Sequence, residues 1–73
     1  MTNNFMITKP FWIKKRDNPQ LGTYYVAMGQ LSKTAAKDHA KALYGDNTML
    51  RFETEAEYMA KLDDLRKNGE SIQ

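Results

Sequence analysis

Few side chains in this 73-residue sequence have the types and spacing that reaction chemistry needs. His39 is the single histidine and cysteine is absent, so no partner ligand is available to complete a zinc site. Asp63 and Asp64 are adjacent. On a helix, neighbouring side chains point about 100° apart, which excludes a shared carboxylate dyad. Ser32 and Ser71 have no base at a recognisable spacing, and Gly22 and Gly29 stand alone rather than in a phosphate-cradling loop. Catalysis requires several polar groups converging in a concave site. None is visible, and the chain reads as non-enzymatic, with no cofactor and no metal.

What the residues can do is bind. With Phe11 and Ile13 facing a core, strand alternation sends Trp12, Lys14 and Arg16 to the opposite face. Tyr25 joins them if Tyr24, Val26 and Met28 point inward, and Arg51 comes from a later strand. An exposed Trp and Tyr interleaved with cations can stack on bases while neutralising phosphates. The same residues make the hot spots of protein interfaces. The alternative is that Trp12 is covered and purely structural. A second surface is the ridge Lys33, Lys37 and Lys41, recurring every four residues; as a bland alternative it is a solvated helix face.

These residues need a scaffold, and the chain is long enough for one core only. The composition is that of a folded protein: 41% hydrophobic, eight aromatics and two prolines. The formal charge of +2 hides an asymmetry. Residues 1–45 carry seven Lys/Arg against two acids, and residues 46–73 carry four against seven. A basic half suits a polyanion or an acidic protein surface. The lack of cysteine fits a reducing compartment. No signal peptide is readable over Met1–Ile13 and no apolar run approaches the roughly 20 residues of a membrane span, so a cytoplasmic location without membrane contact is expected.

Residues 1–4 read as a frayed start, and 5–28 as a β-hairpin turning through Asp17–Gly22, a loop of about six residues. Pro10 makes the first arm either an edge strand or a strand that begins after the proline. Ser32 caps a helix over 32–44, with Ala36, Ala40 and Leu43 on its apolar stripe, Tyr44 beside it and Gly45 ending it. Residues 48–54 read as a strand with Leu50 and Phe52 on one face. Thr54 and Glu57 form a capping box for a helix over 55–68, with Tyr58, Met59, Leu62 and Leu65 inward. The order ββαβα gives an α+β fold, a three-stranded, mostly antiparallel sheet packed against two helices. A right-handed crossover through the first helix sets the third strand parallel to the second, and one sheet face buries both helical stripes.

The run from Gly22-Thr23 through Leu31-Ser32, the alanine- and lysine-rich helix, and Thr48-Met49-Leu50-Arg51-Phe52-Glu53-Thr54 resembles small phage-encoded anti-CRISPR proteins of the type I-F class over roughly half the chain. That resemblance implies a protein that docks on an RNA-guided surveillance complex and blocks target DNA, with Lys37 and Lys41 as contacts. The family continues in strands where this sequence has a helix from Glu55. Tyr24-Tyr25-Val26-Ala27-Met28-Gly29 followed by a helix also resembles the first half of the peptidoglycan-binding sporulation-related repeat, whose domains are normally tethered outside the cytoplasm.

The expectation is therefore a small accessory or inhibitor protein of phage or mobile-element type. It would bind a host protein or ribonucleoprotein complex and occlude it sterically through Trp12, Lys14, Arg16, Tyr25 and Arg51, or through Lys33, Lys37 and Lys41. Direct nucleic-acid binding is one alternative. A structural module, including a homodimer, is another.

Overall fold

The computed structural model describes residues 9–20, 22–69 and 71–72, Ser71 by its backbone alone. The frayed start expected at 1–4, the hairpin residues 5–8 and Leu21 lie outside them. Strand β1 (Phe11–Asn18) begins directly after Pro10, and β2 (Gly22–Gln30) returns antiparallel to it. Helix α1 (Lys33–Tyr44), strand β3 (Met49–Phe52), helix α2 (Glu55–Lys67) and a two-residue strand β4 (Ser71–Ile72) follow. The order ββαβα and the three antiparallel strands β2-β1-β3 make this an α+β fold. β4 adds a short parallel edge beside Tyr24 and Tyr25 of β2.

Local chemistry explains the element boundaries. Ser32 Oγ accepts from the Ala35 N–H at 3.2 Å to start α1. Gly45 closes it at φ 84°, where any side chain would be strained. In the hairpin, the register slips between Trp12 and Ile13, leaving Met28 as the extra residue beside Gly29 at φ 83°. This is a glycine bulge. Thr54 Oγ accepts from the Glu57 N–H at 3.2 Å, and its hydroxyl donates to Glu57 Oε1 at 3.2 Å, so the threonine side chain is tied to the first turn of α2. Thr54→Ala should lower stability by about 1 kcal/mol. In a domain of this size that moves Tm down by roughly 4–8 °C, readable by circular dichroism. An unchanged Tm would mean that the cap contributes nothing.

The two helices do not share one face of the sheet, which corrects the sequence-based expectation. α2 lays Tyr58, Leu62 and Leu65 on Ile13, with Phe11, Tyr25, Ala27, Leu50, Phe52 and Ile72 packed around them. The Phe11 and Tyr58 rings stack at 5.1 Å. α1 lies on the other side, where its Tyr44 ring meets Lys14 and Arg16. The cause is topological. β3 runs parallel to β2, as expected, but with β1 between them. The connection β2-α1-β3 crosses the sheet in one direction, and β3-α2-β4 crosses back in the other. Crossovers between parallel strands keep one hand, so two that run in opposite directions lie on opposite faces.

Two apolar residues leave their expected stripes. Ala36 and Ala40 are fully buried and Tyr44 half-buried, so the inner face of α1 repeats every four residues, and Leu43 stands 58% exposed. On α2, Met59 is exposed beside the buried Tyr58. No helix among the described residues is long and apolar enough to cross a membrane.

Candidate functional site

Trp12 does not stand on an open face. It is 5% exposed, lies on the α1 side of β1, and its indole Nε1–H donates to the Leu31 carbonyl at 2.8 Å. The helix that was expected on the Ile13 side covers it instead. Trp12 is therefore a core residue, and the surface proposed around it is not there.

Lys14 is corrected more sharply. Its side chain is 0% exposed. The ammonium Nζ donates to Asp46 Oδ1 at 2.6 Å, to the Lys15 carbonyl at 2.6 Å and to the Thr48 carbonyl at 3.0 Å. Three donors meet three acceptors, which is the condition for an ammonium to be buried at all. The stem runs under α1 and the buried head reaches the acceptors of the α1–β3 loop. Asp46 Oδ1 also accepts from the Thr48 N–H at 3.0 Å. The hydrogen bond from Lys14, then the one from Thr48, lowers the Asp46 carboxyl from 3.8 to about 2. This ion pair pins the loop that delivers β3 to the edge of the sheet beside β1.

Tyr25 is on the wrong side for the expected cluster. It faces Lys15 across the hairpin and packs against the α2 core. The turn is the reason: the strands pair as far as Asn18 and Gly22 instead of parting at a loop over 17–22, and this one-residue change of register exchanges the faces of Tyr24 and Tyr25. Tyr24, assigned inward from sequence, is the tyrosine that stands opposite Arg16. The Arg16 guanidinium lies 4.9 Å from the Tyr44 ring centre and 5.9 Å from that of Tyr24, a half-buried cation between two aromatic faces. Arg51 is exposed on the same side, 5.9 Å over the Trp12 ring and paired with Glu53 at 2.8 Å.

Lys33, Lys37 and Lys41 are all exposed on α1, and none forms an ion pair among the described residues. Successive members are about 6 Å apart along the axis. Asp38 is the only acid in α1, whereas α2 carries Glu55, Glu57, Asp63 and Asp64 outward. The charge asymmetry of the sequence thus falls on α1, whose three lysines meet one acid, whereas the four carboxylates of α2 stand beside Lys61, Arg66 and Lys67. Sequence reasoning found the lysine ridge and Arg16. It missed Tyr44 and Asp46 as their neighbours, although Tyr44 continues the four-residue repeat of Ala36 and Ala40.

Among the described residues no cluster of three or more His, Cys, Asp or Glu could hold a metal ion. Compared with family models, curated proteins and solved structures, the chain matches none. The function has to be argued from its own surface.

Proposed function

We propose that this chain is a non-enzymatic binding module that covers an acidic surface of a larger host protein or ribonucleoprotein complex, an accessory or inhibitor of the kind phages and mobile elements encode. The observation that carries this is the row of exposed lysines at 33, 37 and 41 on the outside of α1, with no ion pair among the described residues. Lysines without intramolecular partners exert their full field on an approaching anion, and complementary charge steers association and sets its orientation. The inhibition is steric, exerted by a domain of 8.5 kDa held over a working surface. With the indole sealed, the contact is electrostatic rather than anchored by an aromatic plug.

Direct nucleic-acid binding is a second reading, favoured by Arg16 held between Tyr24 and Tyr44 on the same face. Half-exposed tyrosines beside cations suit a phosphate backbone with unstacked bases.

Capture from host lysate with and without nuclease separates the two. On the first reading, one stable complex survives nuclease, and reversing all three lysines (Lys33→Glu, Lys37→Glu, Lys41→Glu) weakens capture by about tenfold or more. Reversing Asp64 on the opposite face leaves it unchanged. On the second reading nuclease abolishes capture, and affinity for single-stranded DNA falls steeply with salt. A triple variant that captures as well as the natural sequence would remove α1 from both.

A further inference from the structure

β3 is hydrogen-bonded to β1 on one side, and among the described residues no strand pairs with its other side. The backbone orientation of that free edge can be derived. The Leu31 N–H donates to the Pro10 carbonyl at 3.0 Å, so Pro10 faces β2. Backbone groups alternate along an antiparallel ladder, so Phe11 and Ile13 face β3. Their partners Phe52 and Leu50 then face β1, and the N–H and C=O of Met49 and Arg51 point off the sheet. On this edge Arg51 and Glu53 sit two residues apart, on the α1 side, paired at 2.8 Å.

We propose that this edge pairs antiparallel with β3 of a second copy of the chain, about a two-fold axis at Phe52. In that register Arg51 stands opposite Glu53 of the second copy, and Glu53 opposite its Arg51. The intramolecular pair becomes a closed four-charge network, while the two Phe52 side chains meet on the α2 side. Charge selects the register. Centring on Arg51 would set two like cations directly opposite, which destabilises a sheet. Centring on Leu50 would leave both charges facing uncharged residues. An isologous contact of this kind closes on itself. Because the strand has four residues, the interface is small, and the dimer belongs to the weak, concentration-dependent class.

The two-fold axis stands perpendicular to the joined sheet, so both α1 helices lie on the same face of the dimer. If the function proposed above holds, two lysine ridges then act together, and the second engagement becomes intramolecular. The dimer itself does not depend on that function.

Sedimentation velocity of the full chain, from about 10 μM to about 1 mM, spans the range expected for a weak interface. The natural sequence should pass from 8.5 kDa to twice that mass as concentration rises. Arg51→Glu and Glu53→Arg should each weaken dimerisation at least about tenfold, and an equimolar mixture of the two should restore it, because acidic residues then face basic ones at all four positions. Both side chains are about half-exposed or more, and circular dichroism checks that the variants fold. A chain that stays at 8.5 kDa throughout would overturn the second copy as occupant. Single variants that dimerise as well as the natural sequence would overturn this edge as the interface. Either result leaves the capture experiment on α1 to be judged separately.

Discussion

Trp12→Ala should destabilise the fold by about 3–5 kcal/mol, a large share of what a domain of this length has, since roughly 4–11 kcal/mol is typical for its size. The indole is sealed under α1, its N–H satisfied by the Leu31 carbonyl at the entry to that helix. Truncation removes the largest side chain of the α1 layer and leaves a cavity between two alanines' worth of helix surface and the sheet, which small residues cannot refill. Trp12→Phe separates the contributions. It keeps most of the ring volume but strands the Leu31 carbonyl, a loss of about 1 kcal/mol. Urea denaturation followed by far-ultraviolet circular dichroism measures both. The outcome also bears on function, because partner capture by Trp12→Phe should equal that of the natural sequence. If Trp12→Ala proves as stable as the parent within about 0.5 kcal/mol, the indole is not part of a packed layer.

The second large effect is at Lys14. Lys14→Ala should cost about 2–4 kcal/mol, combining the volume of a fully buried stem with two backbone carbonyls that lose their donor. Lys14→Met restores the volume without the ammonium and should cost about 1–2 kcal/mol, the difference between the variants being the packing of the stem. The pH dependence isolates the charge. The Asp46 carboxyl is lowered from 3.8 to about 2, chiefly by its hydrogen bond from Lys14. Between those values the unfolded chain binds more protons than the folded one, so stability rises with pH. The contribution is present in full above 3.8 and is lost as pH falls through about 2. Lys14→Met removes the main cause, so its acid limb should be shallower across that window. Equal acid slopes for the two proteins would show that the pair does not form in solution.

The elements themselves were legible because each carries its own local chemistry. Ser32 and Gly45 bracket α1, and Thr54 with Glu57 opens α2; these signals act within a few residues and need no knowledge of the rest of the fold. The faces were not legible, because a side chain's face depends on which strand lies beside which. The expected third strand was set parallel to β2 with both helical stripes on one sheet face, and nothing local fixed which strand it would lie beside. Its actual place beyond β1 sends α1 across Trp12 and Lys14. The hairpin turn did the same on a smaller scale, since pairing that continues to Asn18 and Gly22 moved the register by one residue and exchanged Tyr24 for Tyr25. A buried lysine is also the residue that composition argues against most strongly. The loop acceptors Asp46 and Thr48, 32 and 34 positions away, together with the Lys15 carbonyl, make it tolerable. The lysine ridge, by contrast, was read correctly as exposed because a helix presents residues four apart on one side whatever it packs against.

The position of β1 in the middle of the sheet has a consequence for how the molecule is made. It is the first described strand to leave the ribosome, yet both of its faces and one of its edges wait for residues synthesised after the hairpin has closed. Until β3 and α2 emerge, the nascent chain presents Phe11 and Ile13 beside an unpaired edge, the combination most prone to wrong association. Productive folding is therefore a late event, and chains halted before β3 should be the ones that aggregate.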